Sequence, residues 1–155
     1  MPRLSRSFVF FFSAAVCGPF GAASPASGAT KATFCREAKS LQVALLARDR
    51  LTDPSAPTYP KAHVAALDGL LRAQAGLEAK LSGDQKAILT AERKQTAKMR
   101  TAVAKGKTAM EQTQNAMQVL LDTTPQSTKA LEAVTKLYPA IDKVCGTKLA
   151  GRRRS

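Results

Sequence analysis

Apolar positions along the middle of the chain recur at helical intervals. Phe34, Ala38, Leu41 and Leu45 are spaced four, three and four, which places them on one face of a helix over about Lys31–Leu51. The pattern stops at "TDPSAPTYP", where three prolines in nine residues rule out continued helix and predict a stiff, extended connection. A second helix is predicted over about Lys61–Leu81, with Val64, Leu67, Leu71, Leu77 and Leu81 inward and Leu70 widening the stripe. "SGD" then stops and restarts the chain: Gly83 suits the left-handed position after a helix, and Asp84 is a candidate cap for the next one.

The third predicted helix is the longest, about Gln85–Asp122. Leu89, Glu92, Thr96, Met99, Val103, Gly106, Met110, Thr113, Met117 and Leu120 alternate at three and four, a heptad seam that would run about 57 Å in one straight helix. Glu92, Thr96, Gly106 and Thr113 weaken that seam, and "KGK" (Lys105–Lys107) is the natural place for a bend or for close approach of a neighbouring helix. Thr124 followed by Pro125 reads as the start of a fourth helix that ends near Cys145 and Gly146. Its inner face would be Leu131, Val134, Tyr138, Ile141 and Cys145, with a kink or restart at Pro139. "TKLAGRRRS" reads as a loose basic tail over residues 147–155.

Composition fits an all-α body. The chain has 155 residues, enough for one well-buried domain, and is rich in the helix formers Ala, Leu, Lys and Gln. Five of its six Phe lie in the first 20 residues, so the body builds its core from aliphatic side chains plus Phe34, Tyr59 and Tyr138.

The Phe-rich start has the parts of a secretory signal over residues 1–29. Arg3 and Arg6 precede an apolar stretch from Ser7 to Val16, and small residues follow, with cleavage expected after Ala23 or Ala29. An uncleaved anchor fits less well, because Gly18 and Pro19 interrupt the apolar run short of the roughly 20 residues a spanning helix needs. A lipid-modified Cys17 also fits less well, because Val16 stands where such signals carry a small residue. No transmembrane span is expected in the mature chain.

Export changes the reading of the cysteines. Removing the leader removes Cys17 and leaves Cys35 and Cys145, which are expected to pair in an oxidising compartment. A bridge between the start of the first helix and the end of the last requires both at one pole. That predicts an even number of helices and argues against the long helix folding back at Gly106. The expected fold is therefore an all-α, elongated antiparallel four-helix bundle over residues 30–146, with one long helix (about 85–122), closed by a Cys35–Cys145 disulfide.

Charge supplies the only candidate site. Lys and Arg total 24 against 11 Asp and Glu, a formal charge of +13. On the long helix Lys86, Arg93, Arg100 and Lys107 form one row and Lys94, Lys98 and Lys105 another, with Thr90, Ala97, Thr101, Ala104 and Thr108 between. This wide cationic face is a candidate contact surface for an anionic partner: a protein, lipid headgroups or an acidic glycan. Nucleic acid is disfavoured, since no aromatic interleaves with the lysines to stack bases. A solvated helix face that keeps a basic protein dissolved is the plainer alternative.

Other chemistry finds little footing. Met99, Met110 and Met117 share the seam, yet core packing explains a thioether row better than copper or haem. His63 is the single histidine, so neither a histidine-based metal cluster nor a Ser-His-Asp triad can be assembled; it reads as an exposed first-turn residue. No catalytic residues, metal or cofactor are expected. The expected function is that of an exported, non-catalytic surface or secreted interaction module, with carriage of a small apolar ligand or lipid inside the bundle as the alternative. The weak seam also leaves room for a homodimer.

"FCREAKSLQ" opening an Ala/Lys/Gln-rich helical body that closes with a distant Cys resembles the helical surface proteins of trypanosomes, the variant-coat amino-terminal domains and related receptors. The similarity is one of general style over Thr33–Gly146, and small secreted helical bacterial proteins are similar as well. It implies an extended helical bundle displayed outside the cytosol and implies no particular site residue. The chain departs from the trypanosome group in its short length and in having neither a glycosylation site nor an apolar tail for a glycolipid anchor.

Overall fold

The computed structural model describes residues 25–51, 53–122 and 125–150. The expected leader with Cys17, up to residue 24, lies outside the described residues, as do the Thr124 cap, the side chain of Leu131 and residues 151–155.

Five α-helices make up the described chain: α1 (Lys31–Asp49), α2 (Tyr59–Glu78), α3 (Gly83–Val103), α4 (Ala109–Leu121) and α5 (Pro125–Cys145). Thr30 caps α1 by accepting a hydrogen bond from the Thr33 backbone N–H at 3.2 Å. Between α1 and α2 the prolines make a compact turn instead of the expected extended connection. Asp53 accepts from the backbone N–H and hydroxyl of Ser55, and Ala56 N–H donates to the Asp53 carbonyl at 3.3 Å. Pro60 falls in the first turn of α2, where its missing N–H costs nothing. Gly83, the first residue of α3, takes φ +52°, in the left-handed region open to glycine. The helix starts after Ser82, so Asp84 stands inside the first turn and not at the cap.

The helices pack in a closed series, α1 on α2, α2 on α3, α3 on α5 and α5 back on α1. The core is Phe34, Ala38, Leu41 and Leu45 of α1, Leu70, Ala73 and Leu77 of α2, Leu89 of α3, and Val134, Leu137, Tyr138 and Ile141 of α5. α5 continues through Pro139 with no restart. At one pole Ala26 N–H donates to the Lys80 carbonyl at 2.7 Å, joining the approach to α1 to the end of α2. There the sulfurs of Cys35 and Cys145 lie 2.01 Å apart, the separation of a disulfide, with Cα atoms 5.1 Å apart.

Two further expectations are corrected. The single helix of about 85–122 is two helices, because the chain leaves helical geometry over residues 104–108 and α4 turns back along α3. Asn115 of α4 donates to the Ala102 carbonyl at 3.1 Å, which fixes the reversal. The helix count is thus odd, yet the two cysteines still meet. α4 has only 13 residues and packs on the outside of α3, so it does not displace α5 from its place in the series. Second, residues 147–150 are not a loose tail. Asp142 accepts from Thr147 Oγ1 at 2.6 Å, Leu149 N–H at 2.8 Å and Ala150 N–H at 2.9 Å, and Leu149 is fully buried in the core cluster.

Candidate functional site

The inner face of α3 is Leu89, Glu92 and Val103, so its opposite side carries the basic residues outward. The structure divides the seven predicted contact residues into two groups. Arg93 Nε lies 2.6 Å from Glu78 Oε2. Arg100 grips Asp68 with two bonds, Nε to Oδ1 at 2.8 Å and Nη2 to Oδ2 at 3.1 Å. The row that also holds Lys86 and Lys107 therefore borders α2, and both of its arginines are engaged in joining α3 to α2.

Electrostatics follow from that placement. Burial pushes the Glu78 carboxyl up, but hydrogen bonds from Arg93 and Thr90 and the charges of Arg93 and Lys86 outweigh it, leaving the group below the ordinary glutamate value. The hydrogen bond from Arg100 holds the Asp68 carboxyl below its ordinary value, and the same bond raises the Arg100 guanidinium.

The second row differs. Lys94, Lys98 and Lys105 are exposed and form no ion pair with a described residue. They edge an open groove of about 680 Å³ between α3 and α4, floored by Ala97, Thr101, Ala102 and Val119, with Asp122 at its far rim. Beside it, Gly83, Ala87, Thr90 and Ala91 line a shallower concavity between Lys86 and Lys94. Of the small-residue lane between the cationic rows, Thr90, Ala97 and Thr101 thus line depressions.

Sequence reasoning missed the wall that α4 gives this groove. The signal was present in "TAME": Thr108 accepts from Glu111 N–H at 3.2 Å, and Glu111 Oε2 accepts from Thr108 N–H at 3.3 Å. That capping box marks a new helix start directly after "KGK". The same carboxylate accepts from Lys107 N–H at 2.6 Å. His63, expected to be exposed, is half-buried and helps to hold α4. Its Nδ1 lies 3.1 Å from Gln112 Oε1, and its ring meets Tyr59 with centroids 5.4 Å apart. The thioether row is broken, since Met99 faces the interior while Met110 and Met117 stand exposed on α4.

Inside the body, the polar seam residues join across helices. Tyr138 donates to Glu92 Oε2 at 2.5 Å, Thr96 donates to the Glu92 carbonyl at 3.1 Å, and Gln74 Nε2 donates to Thr96 Oγ1 at 3.2 Å. Gln74 Oε1 is buried with no hydrogen-bond partner among the described residues. A cavity of about 170 Å³ beside this network is lined by Leu67, Leu70, Glu92, Thr96 and Met99, with Arg48 at its edge. Among the described residues no three His, Cys, Asp or Glu side chains cluster as metal ligands would. No described helix is long and apolar enough to cross a membrane. Comparison with protein-family models, with curated proteins and with solved structures finds no match to this chain.

Proposed function

We propose that the protein is exported, closed by Cys35–Cys145, and acts without catalysis as an interaction protein whose Lys94, Lys98 and Lys105 row takes an anionic partner. The observation that carries this reading is the contrast between the two cationic rows. Arg93 and Arg100 are satisfied by α2, whereas three lysines stand together on an open groove with no ion-pair partner among the described residues. A bare cationic cluster raises the local concentration of anions and steers their approach. The resemblance to exported helical surface proteins points the same way.

Carriage of an apolar guest inside the body has less support. The concavity of about 170 Å³ beside Glu92 and Thr96 opens to the surface at Arg48 and is well below the roughly 300–1,000 Å³ of ordinary ligand sites.

The test is retention of the purified oxidised protein on immobilised heparin, with elution by a salt gradient. Lys94→Glu, Lys98→Glu and Lys105→Glu together are expected to elute at much lower salt. Near an anionic surface each lysine contributes about 1 kcal/mol, so losing three weakens binding about a hundredfold. Elution of this variant at the wild-type salt concentration overturns the reading.

A further inference from the structure

Among the described residues, five large hydrophobic side chains are strongly exposed, and four of them belong to α4: Met110 (72 %), Met117 (54 %), Leu120 (54 %) and Leu121 (73 %). Met110, Met117 and Leu121 follow one another at seven and four, so they form one stripe, with Leu120 on its flank. This outward stripe does not result from loose attachment. α4 is clamped by its opposite side: Gln112 is buried, donates to the carbonyls of Pro60 at 3.0 Å and Gly106 at 3.3 Å, and pairs with His63. The helix is held so that it shows its apolar side to the surroundings.

Exposed lysines stand on the elements next to α4. Lys94 and Lys98 lie across the groove from Val119, on the α3 side of α4, Lys105 precedes α4 in the turn, and Lys129 follows on α5. Two acids lie on α4 or at its end, Glu111 in the capping box and Asp122 at the C-terminal cap, where it accepts from Gln118 Nε2 at 2.9 Å; four lysines outnumber them.

Three occupants compete for an exposed apolar stripe on a strongly cationic chain. A second copy would bring two chains of +13 together over a patch of a few hundred Å², less than the roughly 800 Å² per partner of a stable pair. An acidic protein is expected to find aromatic or arginine anchors at the centre of a contact, and the stripe has none. A bilayer with anionic headgroups needs neither, because flexible Met and Leu side chains enter its acyl boundary while flanking lysines meet the headgroups. We infer that α4 is an interfacial helix, lying in the headgroup layer of an anionic membrane with Met110, Met117 and Leu121 inserted and the lysines of the neighbouring elements reaching lipid phosphates. This rests on the lysine-row reading and adds the partner and the apolar half of the contact.

The experiment is flotation of the oxidised full chain with vesicles of equal parts phosphatidylcholine and phosphatidylglycerol. It is run beside heparin elution and beside a poly-glutamate column. Met110→Gln, Met117→Gln and Leu121→Gln are made together; because these side chains are exposed, the thermal midpoint should stay at the wild-type value. Vesicle affinity is expected to fall about tenfold or more, with heparin elution unchanged. Wild-type vesicle binding by the triple variant overturns the α4 inference and leaves the lysine reading standing. Heparin retention with no vesicle binding by the wild type does the same. Loss of poly-glutamate retention in the triple variant, again without vesicle binding, assigns the face to an acidic protein and overturns the inference. Failure of wild-type retention on every anionic matrix overturns both.

Discussion

Gly106 is where the chain reverses, and its lack of a side chain is what allows the reversal. A Cβ placed there would come within 2.6 Å of the Gln112 backbone nitrogen, 2.8 Å of its Cγ and 3.0 Å of its Cα. Those atoms cannot swing aside. Gln112 is the first-turn residue that ties α4 to Pro60, Gly106 and His63, so moving it breaks several hydrogen bonds at once. Gly106→Ala is therefore expected to destabilise the protein, although Ala is the better helix former. Overpacking of this kind costs about 1–3 kcal/mol, readable as a lower urea midpoint at unchanged slope. An unchanged or raised midpoint would mean that residues 104–108 prefer continuous helix. In that case the heptad spacing, and not the turn, would describe the chain.

Between elements, the joint of α2 and α3 depends on charge. Glu78 and Asp68 both titrate below their ordinary values of 4.5 and 3.8 in the folded protein. A carboxylate depressed on folding stabilises the native state at pH values above its unfolded pKa, and that contribution is lost as pH falls through the folded value. Stability should accordingly decline on acidification below about pH 4.5. Arg93→Met keeps most of the stem and removes the charge, so Glu78 loses its ion pair and only Thr90 and Lys86 still oppose the effect of burial. This variant is expected to be less stable at neutral pH and to show a shallower acid decline in urea midpoints measured across pH; a decline parallel to wild type would discount the pair. The same joint shows what the sequence could disclose. Phe34, Ala38, Leu41 and Leu45 occupy the buried face that their spacing predicts, as do Val134, Tyr138 and Ile141, because burial follows helical periodicity directly. The two cationic rows were also legible as rows. Their different fates were not, since only the position of α2 decides that Arg93 and Arg100 meet acids while Lys94 and Lys98 do not. Periodicity misled at Met110, Met117 and Leu120, which keep the seam's register but lie beyond a reversal that turns them outward. Phase along a sequence carries no information about direction in space once the axis bends.

At the scale of the molecule, the stability of the ring of helices turns on its last contact. α5 leans mainly on α3 and shares its smaller interface with α1, and it is between α5 and α1 that Cys35 and Cys145 stand. The tie spans 110 residues, nearly the whole described chain, so it removes a large share of the freedom of the unfolded state. In the chain-entropy account a loop of that order contributes about 4.7 kcal/mol, against a typical total of about 5–15 kcal/mol. Asp142 and Leu149 fasten the stretch just past Cys145 to the same pole, so opening the bridge should loosen the end of α5 and residues 147–150 together. Cys35→Ser with Cys145→Ser is expected to lower the urea midpoint strongly, as is reduction of the wild type. Amide exchange should accelerate first over the last turns of α5 and the neighbouring start of α1, while the Asp68–Arg100 stretch of α2 and α3, away from that pole, keeps its protection until global unfolding. Uniform acceleration through all helices would instead mean that the bridge acts only on the unfolded chain, with the α1–α5 seam closed equally well by packing.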